Sequence, residues 1–276
     1  MIGFFDSGFG GLTIMRAAVR VLPEYDYLYL GDNARAPYGG RSSKEILRFT
    51  IEAVEYLFSA GCMLIVVACN TASAEALRRV QQDYLPRRVP GRRVLGIVRP
   101  SAEEIARRRF RSVGIMATEG VVASNIYGEE LSVLAPCVKV FQQACPGLVP
   151  LVESGRAGDP EAERLVAEYL DMLISRGPSL DAVLLACTHF PLLGDLFKKE
   201  APPSVEILDQ GAVVAVGLQD YLRRHPEIER HLGRQSRRSF VTTGAACHFN
   251  DLARRFYGES VESRHDGIGE IVSLLS

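Results

Sequence analysis

Short apolar runs alternate with longer amphipathic stretches from one end of the chain to the other. Nine runs read as strands: Ile2–Phe5, Asp26–Leu30, Met63–Ala68, Arg93–Ile97, Ser112–Ala117, Cys137–Phe141, Asp181–Ala186, Ser204–Leu208 and Arg238–Thr242. They are rich in Val, Ile, Leu, Phe and Tyr, and most lead into a turn residue and then a helical period. Ser42-x-x-Glu45 has the form of a capping box ahead of a helix over Ile46–Ser59. Asp159-Pro160 sets a cap and a first-turn proline, after which Ala162, Val166, Tyr169, Leu170 and Leu173 recur on one helical face. Alternation of this kind predicts an α/β fold of parallel sheets covered by helices.

At about 150 residues per domain, 276 residues suggest two domains. Two breaker-rich segments, Pro86–Arg93 and Glu200–Ser204, look like boundaries. The expected division is a first lobe of residues 1–97 plus 207–276 and a second of 98–206. A single large sheet is the lesser alternative. The chain also echoes itself: Gly3–Asp6 precedes Ile65-Val66-Val67-Ala68-Cys69, and Gly114–Thr118 precedes Val183-Leu184-Leu185-Ala186-Cys187 at a similar distance. Cys69 and Cys187 are therefore expected at equivalent places in two similar lobes related by pseudo-symmetry.

Composition narrows the chemistry. The 32 basic and 33 acidic residues leave a net charge of −1, with no basic excess to grip nucleic acid or an anionic membrane. The longest apolar run, Met63–Cys69, is too short to cross a bilayer. The amino terminus opens into Ile2-Gly3-Phe4-Phe5 without the charged region and long apolar core of a signal peptide, so a cytoplasmic protein with reduced cysteines is expected. Only Lys44, Lys139, Lys198 and Lys199 are lysines, and none sits in a chemical motif, which sets pyridoxal phosphate aside.

A cysteine between a parallel strand and a helix lies at the carboxyl edge of the sheet, where open α/β folds bind ligands. The helix start favours thiolate there, and Asn70, Thr71 and Thr188 add donors. Two such lobes facing one cleft would offer a thiol from each side, suited to taking a proton from one face of a carbon and returning one to the other. The plainer reading is a small buried hydrophobe. Cys62, Cys137 and Cys247 keep that reading, and Cys145, near Glu153, stays open. No Cys-x-x-Cys occurs, and Cys187-x-His189 is tighter than zinc-ligand spacing, so no metal is expected. Asp6-Ser7-Gly8-Phe9-Gly10-Gly11 lacks both the dinucleotide fingerprint and the Lys-Ser/Thr of a P-loop. A thiol hydrolase with Cys187 and His189 is a second possibility, weakened because residues two apart on a strand end point apart. An amino-acid-binding module is a third.

Taken together, Phe5-Asp6-Ser7-Gly8-x-Gly10-Gly11-Leu12, Gly31-Asp32, Pro37-Tyr38-Gly39, Ala68-Cys69-Asn70-Thr71-Ala72 and Cys187-Thr188-His189-x-Pro191-Leu192-Leu193 resemble the glutamate racemases. Ala117-Thr118-x-Gly120, Pro150-Leu151-Val152-Glu153-x-Gly155, Asp209-x-Gly211 and Val241-Thr242-Thr243-Gly244 extend the resemblance through nearly the whole chain. It implies a cofactor-independent enzyme that interconverts L- and D-glutamate and supplies the D-form for peptidoglycan, often as a homodimer. By matching position, Cys69 and Cys187 would be the acid/base thiols, assisted by Asp6, His189 and Glu153. Ser7, Tyr38, Gly39, Asn70, Thr71, Thr118, Thr188 and His189 would line the substrate site. Cys-Thr-His rather than Cys-Thr-Glu favours glutamate over aspartate; a racemase of another small amino acid or diacid is the alternative. Arg99 and Val121 depart from the family's usual residues.

Overall fold

The computed structural model describes residues 1–177 and 179–268, so the end of the expected first lobe, 269–276, lies outside the described residues. Its strands are β1 (Ile2–Asp6), β2 (Tyr27–Gly31), β3 (Leu64–Val67), β4 (Arg93–Gly96), β5 (Ser112–Ala117), β6 (Lys139–Ala144), β7 (Ala182–Leu185), β8 (Glu206–Leu208), β9 (Arg238–Thr242) and β10 (Ser263–His265). They form two sheets, ordered β10-β9-β2-β1-β3-β4 and β6-β5-β7-β8. Every pairing is parallel. The single-sheet alternative is thereby excluded. The order β2-β1-β3-β4 maps onto β6-β5-β7-β8, and β9 and β10 extend the first sheet only.

Parallel strands covered on both faces must be apolar throughout, and β1, β2, β3, β5 and β7 are buried at every position. Side chains alternate between two cores: Phe4, Tyr27, Tyr29 and Val66 face one, and Phe5, Leu28, Leu30 and Val67 the other. The first of these cores also takes Met116, Val183 and Leu185 of the second sheet, so one apolar body joins the lobes. The helix Pro160–Arg176 buries the five residues its period singles out, and the Ser42–Glu45 capping box forms in full ahead of Ser43–Ser59.

Two boundary readings need correction. Pro86–Arg93 closes a short helix, Leu85–Arg88, and runs straight into edge strand β4, inside the first lobe. Glu200–Ser204 leads into β8, which pairs with β7 through Leu208, so the return to the first sheet comes at Asp209 rather than 207. Breakers and charges there mark turns at the amino-terminal ends of strands. The crossings themselves follow Gly96 and Leu208 and are made by helices Val98–Arg108 and Gln210–Arg224. Among the described residues no helix is long and apolar enough to span a membrane.

Candidate active site

The carboxyl ends of β1, β3, β5 and β7 converge on one cavity of about 60 Å3. Its lining holds Asp6, Ser7, Tyr38, Gly39, Cys69, Asn70, Thr71, Thr118, Glu153, Cys187, Thr188 and His189, which are all the residues picked out from sequence. It adds Gly8, Ala36, Pro37 and Val149, of which Val149 carries no sequence signal at all. Cys69 follows β3 and Cys187 follows β7, the equivalent strand, so the repeated fold delivers one thiol from each lobe.

The surroundings of the two sulfurs differ. Cys69 caps the helix Asn70–Glu75: its Sγ accepts the Ala72 N–H at 3.4 Å while the thiol lies 3.5 Å from Ser7 Oγ as donor. A lowered thiol pKa is the expectation at a helix start, but burial and then the Asp6 charge outweigh the Ser7 and Ala72 hydrogen bonds and push Cys69 up to about 12. A six-residue helix offers a weak dipole against full desolvation. Asp6 is itself buried, and desolvation raises its pKa despite the opposing His189 charge and the Gly8 and Gly11 N–H groups. Its Oδ1 accepts the Gly8 N–H at 2.9 Å, and Tyr29 donates to the Gly8 carbonyl at 2.9 Å, fixing the loop that carries Ser7.

On the opposite side, His189 Nδ1 stands 3.9 Å from Cys187 Sγ, and Nε2 donates to Glu153 Oε1 at 2.9 Å. The expectation that residues 187 and 189 point apart fails, because the chain has left the strand: His189 is in a helical turn, φ −84° and ψ −29°. Burial works against its charge, yet Cys187 and Glu153 outweigh burial and hold the imidazolium to about pH 10. The Phe256 ring meets the imidazole edge-to-face at 5.4 Å and fixes its tilt.

The glycine run is explained by close approach rather than by phosphate binding. A Cβ at Gly10 would come within 2.1 Å of Thr188 Oγ1 and 2.8 Å of the His189 ring, and one at Gly11 within 2.5 Å of Asp6 Cβ. The first lobe's loop can therefore touch the second lobe's Thr188-His189 turn, where the Thr13 hydroxyl lies between the Gly10 carbonyl at 2.8 Å and the Thr188 carbonyl at 3.0 Å and shares its one proton between them. Tyr38 is fixed by a group that sequence reasoning named without a role. Its hydroxyl donates to the buried Asp32 at 2.5 Å, and Arg35 and Thr243 bind the same carboxylate at 2.7 and 2.8 Å.

Asp6 Oδ2 and Thr118 Oγ1 are buried without a hydrogen-bond partner among the described residues, one from each lobe. Such groups suit a small polar ligand. Among the described residues no group of three His, Cys, Asp or Glu side chains is placed to hold a metal ion. All six cysteines are free. Arg99 bridges to Glu103 at 2.9 Å and to Glu130 of the second lobe at 3.1 Å, away from the thiols, and Val121 is buried in the second lobe's core.

The family described as Asp/Glu/Hydantoin racemase matches residues 12–217. A glutamate racemase of Ruegeria sp. (strain TM1040) is 40% identical over 266 residues, 92% of this chain and 96% of its own. The glutamate racemase structure from Thermus thermophilus in complex with beta-chloro-D-alanine superposes with a TM-score of 0.83 at 35% identity, over 98% of this chain and 97% of that one. The one from Francisella tularensis in complex with D-glutamate gives 0.86 at 25% identity, over 98% of each chain.

Proposed function

Because the chain belongs to the Asp/Glu/hydantoin racemase family, among its glutamate racemases, we propose that it interconverts L- and D-glutamate through Cys69 and Cys187 without a cofactor. The D-glutamate would serve peptidoglycan synthesis. The observation that carries the two-thiol scheme is that equivalent strand ends of two lobes bring two cysteines to one cavity with unlike partners.

The α-hydrogen is a very weak acid, and enzymes typically lower barriers by roughly 8–23 kcal/mol. Here that lowering comes from holding the substrate between two sulfurs, from water exclusion, and from donors such as Asn70, Thr71 and Thr188 placed for the developing enediolate. In the L-to-D direction Cys187, with His189 Nδ1 3.9 Å from its sulfur, serves as the base, and Cys69, kept as a thiol by burial and the Asp6 charge, serves as the acid. Cys187 removes the α-proton of L-glutamate, Cys69 delivers its own proton to the opposite face, and D-glutamate leaves. The enzyme then holds Cys187 thiol and Cys69 thiolate, the form that accepts D-glutamate. Asp6 and the His189–Glu153 pair are placed to reset those protons between turnovers.

The test is circular dichroism of D-glutamate with purified protein and no additive, run in parallel in heavy water. Loss of optical activity with α-deuterium in the product is expected; unchanged signal rejects the reading. A second reading draws on one contact: Cys187, His189 and Glu153 line up as a nucleophile, base and orienting acid. A thiol amidase of that kind would release ammonia from glutamine, and it leaves Cys69 without a task.

A further inference from the structure

Behind the cavity, four polar side chains are buried together where the lobes meet: Asn70 and Gln210, each the first residue of its helix, Ser101, and Tyr127 of the second lobe's helix Ile126–Leu134. Their hydrogen bonds form one chain, set by the Ser101 bond to the Ile97 carbonyl. Ser101 spends its proton on the Ile97 carbonyl at 2.7 Å, so its Oγ can only accept from Gln210 Nε2 at 3.1 Å. That contact fixes the Gln210 amide. Nε2 gives its other proton to Tyr127 at 2.7 Å, with Asn70 Oδ1 a longer 3.3 Å away, and Oε1 is left to accept from Asn70 Nδ2 at 2.8 Å. Tyr127 then donates to Asn70 Oδ1 at 2.7 Å. With Oδ1 and one Nδ2 proton taken, the second Nδ2 proton is what Asn70 has left to offer the cavity it lines.

We propose that Gln210 is a positioning residue: starting from the Ile97 carbonyl, it dictates which end of the Asn70 amide meets the substrate. Without Gln210, Asn70 keeps only Tyr127, whose hydroxyl donates or accepts equally well. The amide is then free to turn its oxygen toward the cavity, against a substrate carboxylate. The inference rests on the racemase reading for the nature of that substrate. Gln210 becomes legible only in three dimensions, since it is remote in sequence from every residue it orients.

The experiment is a double-mutant cycle of Gln210→Met and Asn70→Ala on the full chain, read by KM and kcat for glutamate and by calorimetric binding of D-glutamate. One charge-assisted hydrogen bond supports a loss of about tenfold in affinity for Gln210→Met, with kcat changed by less than about threefold. In the Asn70→Ala background the same substitution should cost nothing further in binding. A merely structural role would instead give losses that multiply, or an unchanged KM with a lowered melting temperature, and either result overturns the proposal. Should Gln210→Met fail to fold, Tyr127→Phe takes its place in the same cycle, with the same non-additivity expected and multiplying losses again contradicting it. Wild-type protein that neither binds nor racemises glutamate would reject the parent reading instead.

Discussion

The two thiols occupy the same place in two copies of one topology, yet their chemical settings are opposed. Cys69 shares its side of the cavity with a buried carboxyl, Asp6, and is held as a thiol with its pKa near 12. Cys187 faces His189, whose imidazolium is held to about pH 10, against burial, by Cys187 and then Glu153. At equivalent strand ends Asp6 of the first lobe answers to Ala117 of the second and Ser7 to Thr118, so the repeated frame does not repeat the charge. Backbone topology sets where a proton can be exchanged, and the flanking side chains set which sulfur starts with it. The two enantiomers have equal free energies in solution, so kcat/KM must be the same in both directions for any variant. The difference between the two sides is therefore invisible in that ratio and must be sought in exchange, pH profiles and stability.

Removing a thiol breaks the comparison most severely. Cys69→Ser or Cys187→Ser should cut racemisation by about a thousandfold or more, since a hydroxyl is a far weaker carbon base and each face has one sulfur. His189→Asn should cost about a hundredfold. Because its pKa is raised above the unfolded value of 6.5, the stabilising contribution of the imidazolium is complete below pH 6.5 and lost as pH rises through about 10. Wild-type activity and melting temperature should both show that alkaline limb, measured by rate and thermal scans, and His189→Asn should lack it. Gly10→Ala drives a methyl into Thr188 and His189. Displacement there should cost about tenfold to a hundredfold in kcat/KM while leaving the fold intact by far-ultraviolet circular dichroism.

The smallest effect has the opposite sign for stability. A buried carboxyl with a raised pKa costs folding free energy once pH exceeds 3.8, because the unfolded state ionises more readily. Asp6→Asn should therefore gain about 1 kcal/mol at neutral pH, a few degrees in melting temperature, while racemisation falls. The gain should vanish below pH 4 in thermal scans.

Much of this was legible in the sequence because the central strands are apolar runs buried on both faces. Strand β10 was not: Ser263-Arg264-His265 is short, polar and at the sheet edge, with no hydrophobic run to mark it. The cavity residues were legible through their shared motifs, and Tyr127, Ser101 and Gln210 were not, since nothing local distinguishes a buried polar residue from an exposed one. His189 shows the limit of periodicity, because strand alternation stops where the strand stops. The glycines of the first loop match no phosphate-binding pattern in sequence, and only the opposing lobe reveals what their missing side chains permit.

The central claim is tested most directly by one-sided exchange in heavy water, followed by proton NMR of each glutamate enantiomer with each cysteine variant. Cys69→Ser retains Cys187, so it should exchange the α-proton of L-glutamate without inverting it and leave D-glutamate untouched; Cys187→Ser should do the reverse. Exchange of both enantiomers by either variant, or continued racemisation, would contradict a mechanism with one sulfur on each face.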